Sequence, residues 1–92
     1  MMELTRALAE LAQAREHSKD ACRNFLDQYL EDAKMHLDHW KVGVHDVREY
    51  LDESADWHSE TQALADYARF QLMIERGQAD VKAMKAAAAA LR

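Results

Sequence analysis

The sequence contains no proline, only two glycines and a single cysteine in 92 residues. Turns and sheet connections rely on proline and glycine, so their scarcity argues against a β architecture and favours long helices. The one cysteine, Cys22, cannot form an internal disulfide, which fits a reducing compartment. We therefore expect an all-α protein.

Long hydrophobic runs and an excess of positive charge are also missing. No apolar run approaches the roughly 20 residues that cross a membrane, and the first residues lack the apolar core of a signal peptide. Seventeen acidic against 12 basic residues give a net charge of −5, which disfavours binding to nucleic-acid phosphates. These absences predict a soluble, cytoplasmic protein that binds neither membrane nor nucleic acid directly.

Apolar residues recur at alternating spacings of four and three along two segments, a heptad pattern typical of packed helices. The first series covers residues 26–51 and the second covers residues 63–91. Ser59 followed by Gln62 has the spacing of a capping box, which predicts a helix start between the two series. Two long helices with so short a connection pack antiparallel.

The two series also predict the register of the antiparallel pair. Aligning them about a turn near Trp57 places Leu37 level with Gly77 and Trp40 level with Ile74. The missing side chain of Gly77 would relieve the layer that faces Leu37, at a helix-propensity cost of about 1 kcal/mol relative to alanine.

A shorter apolar stripe, Leu4, Leu8 and Leu11, precedes a polar run at residues 15–20. We favour a turn or pronounced bend near residues 17–20 over a continuous helix, because the stripe is out of phase with the series that follows. The predicted elements of the single helical domain, residues 1–92, are a helix over about 2–16 and long helices over about 19–53 and 60–91.

Eight large apolar residues fall outside both heptad series and need a cover. The N-terminal helix can cover some of them as a third member of a bundle, and a second copy of the chain can cover the rest. The predicted fold is thus a long antiparallel helical hairpin with a shorter N-terminal helix, either a three-helix bundle or a helical dimer. The eight residues are Phe25, Tyr29, Met35, Val42, Tyr50, Leu64, Leu72 and Met73.

Acidic residues surround Trp57 at the predicted turn, which suggests an exposed tip that docks on a basic partner or mimics DNA phosphate. The alternative is an ordinary solvated turn whose acids suit the start of the next helix. Aromatic residues and methionine are enriched at protein contact surfaces. The predicted partner-binding residues are Trp57, Asp56 and Glu60 at the tip, with Tyr29, Tyr50 and Met73 on the flank.

A histidine cluster in the first long helix raises the alternative of a metal site. His36 and His39 are three residues apart and share one side of the helix with Asp32 and Asp46. A tight site needs three or four convergent ligands, and the second long helix contains no histidine. We expect solvated side chains and no cofactor; the alternative is a metal-binding or metal-sensing dimer that completes the site across its interface.

No arrangement of residues predicts an enzyme. Cys22 has His17 and Asp20 nearby, but one helical stretch supplies neither a cleft nor oxyanion donors for a nucleophile. Phosphate-binding glycine loops and zinc-finger spacings are also missing. The sequence predicts a small non-enzymatic protein–protein interaction module, such as an adaptor, co-chaperone or inhibitor, that forms a homodimer.

Overall fold

The computed structural model describes residues 2–53 and 60–91, and of these the side chains of residues 2–49 and 61–91. Within this part of the chain there are three helices and no strand: α1 (Leu4–His17), α2 (Lys19–Glu53) and α3 (Glu60–Ala90). The predicted all-α fold, a long helical hairpin with a shorter N-terminal helix, is confirmed. The molecule is elongated, with extents of 53 × 17 × 17 Å.

Ser18 alone separates α1 from α2. Its backbone is extended, with φ −168° and ψ 162°, while its N–H still donates to the Ala14 carbonyl at 3.0 Å. Its hydroxyl oxygen accepts a hydrogen bond from the Ala21 N–H at 2.9 Å. The same serine therefore ends α1 and provides the N-cap of α2, which lets the chain reverse without glycine or proline.

The two heptad series hold α2 and α3 together. Every position of both series whose side chain is described is buried or half-buried. A Cβ built on Gly77 would lie 2.8 Å from Leu37 Cδ2 and 3.2 Å from Trp40 Cζ3, so the helix backbone approaches these side chains closely. The predicted contact between Leu37 and Gly77 is confirmed.

The short helix α1 covers only one end of this hairpin. With 14 residues against 35 in α2, it spans about 21 Å of a helix about 52 Å long. Its fully buried residues Ala7 and Leu11 pack in a core with Cys22, Tyr29 and Met84. We call residues 19–34 of α2 and 79–91 of α3 the covered half, and residues 35–53 and 60–78 the open half.

Candidate protein-binding surface

All five exposed large apolar side chains of the described residues lie in the open half. Two of the eight apolar residues outside the heptad series, Phe25 and Tyr29, are covered by α1, as expected of a third helix. The side chain of Tyr50 lies outside the described residues. The other five are exposed: Met35 (68%), Val42 (57%), Leu64 (52%), Leu72 (45%) and Met73 (39%). The open half is therefore the part of the described surface that lacks an apolar cover.

These side chains are distributed around the open half rather than along one stripe. Met35 and Val42 are seven residues apart, so they share the outward side of α2, opposite α3. Leu72 occupies the equivalent outward position of α3, whereas Leu64 and Met73 lie on its two flanks. A partner that covers them all must contact both helices.

Tyr29 is not the exposed anchor that the sequence suggested; that expectation is wrong. Only 5% of it is exposed, because α1 folds over it and brings Ala7 and Leu11 into the same core. Its hydroxyl oxygen is buried and has no hydrogen-bond partner among the described residues. Burial, helped by the negative charges of Asp80 and Asp32, raises the pKa of Tyr29.

The other predicted partner-binding residues divide into two groups. Met73 is exposed in the open half, as that role requires. Trp57 and Asp56 lie outside the described residues, and so do the side chains of Glu60 and Tyr50. The acidic and aromatic tip therefore stays a prediction from the sequence.

The predicted metal ligands do not converge within the chain. His36 Nε2 lies 3.6 Å from Asp32 Oδ1, and the His36 ring lies beside the Trp40 ring, with the centroids 5.8 Å apart and the ring planes tilted by 37°. His39 and Asp46 are exposed. Among the described residues, no three histidine, cysteine, aspartate or glutamate side chains are grouped to hold a metal ion. A site completed by a second copy stays a prediction.

The structure adds one polar cluster that the sequence reasoning missed. Arg48 Nη2 and Gln71 Nε2 donate to the Tyr67 hydroxyl oxygen at 3.0 Å and 3.1 Å, and the Arg48 guanidinium lies 5.6 Å from the ring centroid. The hydrogen bond from Arg48 is the main reason that the pKa of Tyr67 is lowered. This cluster joins α2 to α3 in the open half. The predicted register brings Arg48 near Tyr67, so the contact could have been anticipated.

Comparison of the chain with protein-family models, curated proteins and solved structures found no match. None of the helices in the described ranges combines the length and the apolar character that a membrane span needs. The function is therefore inferred from the chain's own surface.

Proposed function

We propose that this protein is a non-enzymatic interaction module that binds another protein through the open half of its hairpin. Adaptor, co-chaperone and inhibitor are all roles of this kind. The supporting observation is that the five exposed large apolar side chains all lie where α1 does not reach. Contiguous apolar surface marks protein interaction sites, whereas single exposed apolar residues are ordinary, so the proposal is carried by the concentration of all five in one half.

Burial of the five exposed apolar side chains does not supply enough free energy for a micromolar complex, so further contacts must contribute. Covering the exposed part of each of the five side chains contributes roughly 1 kcal/mol, or roughly 5 kcal/mol together. A micromolar complex requires about 8 kcal/mol, and association itself has an entropic cost. The predicted tip residues Trp57, Asp56 and Glu60 are the side chains that we expect to supply part of the difference.

A second copy of the chain is the first partner to test. In the covered half, α1 already demonstrates that this hairpin accepts an amphipathic helix across its two long helices. A second copy that contacts both long helices can cover the exposed apolar side chains of the open half. This arrangement retains the predicted homodimer and requires no bound metal.

A native mass spectrum of the untagged protein, with metal neither added nor removed, tests this proposal. The expected species is a metal-free dimer that Leu72→Lys dissociates, because the substitution places a charge at the apolar contact. Ala86→Lys is the matched control, since it puts the same charge on the same side of α3 in the covered half, and it should leave the dimer intact.

Two outcomes would contradict the dimer. A metal-free monomer at every concentration would exclude a second copy and leave a different protein as the partner. A dimer that carries stoichiometric metal would instead favour the alternative function, with His36 and His39 as the first residues to replace.

A further inference from the structure

A cavity of about 350 Å³ opens at the end of the covered half, beside the turn between α1 and α2. Its volume lies at the lower end of the range of small-ligand pockets. Its lining combines apolar side chains and a cysteine with three cations: Leu26, Ala88, Leu91, Cys22, Arg15, Lys19 and Arg23.

The cavity follows from the heptad pattern at this end of the hairpin. The register that pairs Leu37 with Gly77 places Leu26 level with Ala88, whose small side chain leaves space between the helices. Counting back from Leu26, the next two positions of the series are Arg23 and Lys19. Cations therefore stand where apolar residues would otherwise close the bundle.

In the described part of the chain, the cations at the mouth have no acidic partner. Among the described residues, no carboxylate lies within ion-pair distance of Arg15, Lys19 or Arg23, although the chain carries a net charge of −5. Arg15 Nε donates to the Leu91 carbonyl at 2.9 Å, which fixes Arg15 beside the cavity. Lys19 lies in the first turn of α2, where a positive charge opposes the helix dipole, so helix stability does not explain it.

The geometry points to a binding site for an amphipathic anion, a carboxylate that bears an alkyl chain of medium length. The chain lies against Leu26 and Ala88, and the carboxylate pairs with Lys19 and Arg23 at the mouth. This site is at the opposite end of the hairpin from the predicted tip and does not depend on the proposed function.

The probe is decanoate below its critical micelle concentration, and two measurements monitor its binding. Isothermal titration calorimetry measures the affinity. Alkylation of Cys22 by iodoacetamide locates the ligand, because Cys22 is the only cysteine and lines the cavity. We expect decanoate to bind the full chain and to slow alkylation at least fivefold.

Substitutions distinguish decanoate binding in the cavity from binding elsewhere on the surface. Ala88→Leu fills the cavity with a good helix-forming residue and should weaken decanoate binding at least tenfold, whereas Ala86→Leu on the exposed side of α3 should leave it unchanged. Lys19→Gln with Arg23→Gln retains the cavity and should weaken binding at least fivefold. Circular dichroism confirms that each variant is folded.

Head-group analogues test the class of ligand. Decyltrimethylammonium should neither bind in the cavity nor slow alkylation, and inorganic phosphate alone should have little effect. No binding of decanoate to the folded wild type would overturn the proposal, as would equal binding by the Ala88→Leu variant. Equal protection by the cationic analogue or by phosphate alone would contradict recognition of an amphipathic anion.

Discussion

The burial of Tyr29 in α2 depends on a helix, α1, that lies elsewhere in the sequence. The spacing of Tyr29 in α2 identified it correctly as a residue outside the heptad series, but spacing could not tell whether α1 or a partner covers it. That outcome depends on Ser18, whose cap reverses the chain and lays α1 over Tyr29. The polar run around Ser18 contains no residue that forces a helix to end, so the sequence could favour a bend there without establishing where α1 packs.

Replacing Tyr29 by phenylalanine should stabilise the fold by about 1 kcal/mol, because it removes a buried hydroxyl that has no hydrogen-bond partner among the described residues. The raised pKa of Tyr29 means that the unfolded chain ionises first, so its contribution to stability is lost as pH rises above about 10. Urea unfolding between pH 8 and about 11 should show a shallower alkaline decline in Tyr29→Phe than in wild type.

Tyr67→Phe is the control for Tyr29→Phe, because it should change the pH dependence of stability in the opposite direction. The lowered pKa of Tyr67 means that the folded chain ionises first, so its contribution to stability grows as pH rises towards 10. Removing this hydroxyl should steepen the alkaline decline. A Tyr29→Phe variant that loses stability at neutral pH would show that its hydroxyl has a partner in solution.

Trp57 belongs to the part of the candidate site that rests on sequence alone. Trp57→Ala should weaken binding to the partner at least tenfold, as for an aromatic anchor, and leave the helical circular dichroism signal unchanged. His58→Ala, a neighbouring substitution, should affect binding much less. A large loss of helicity in Trp57→Ala would instead identify Trp57 as a core residue.

The long helices were predictable because the heptad pattern of apolar residues that specifies them is local in sequence and repeats along each helix. Apolar or small residues recur at every position of the two heptad series in α2 and α3. This repeat predicts which side of each helix is buried, and it predicts the contact between Leu37 and Gly77. The cavity was not predictable in this way. It depends on how α1, α2 and α3 pack around Arg23 and Lys19, which is a property of three packed elements and not of one pattern.

The docking of α1 rests mainly on Leu11, which is fully buried. Leu11→Ala should lower the free energy of unfolding by about 3 kcal/mol, because a large buried side chain is lost from the core. Leu64→Ala removes the same side chain from an exposed position in the open half and should change stability by no more than about 0.5 kcal/mol. Equal losses in the two variants, measured by urea unfolding, would contradict the division into a covered and an open half.

At the scale of the whole molecule, the covered and open halves differ in whether a third helix covers the apolar side chains of the hairpin. The covered half is a three-helix core with a small cavity at its end, whereas the described residues of the open half form two helices and retain the exposed apolar side chains. The heptad series predicted the surplus of apolar residues in the hairpin. Their confinement to one half became visible only with the position of α1.

Site-specific photo-crosslinking in cells that produce the chain at its native level tests the central claim most directly. A benzoylphenylalanine at position 42 or 72 should give a discrete covalent adduct with a partner or a second copy, and one at position 86, an exposed site in the covered half, should give none. Adducts of equal yield from position 86, or none from positions 42 and 72, would contradict the claim that the open half is the protein-binding surface.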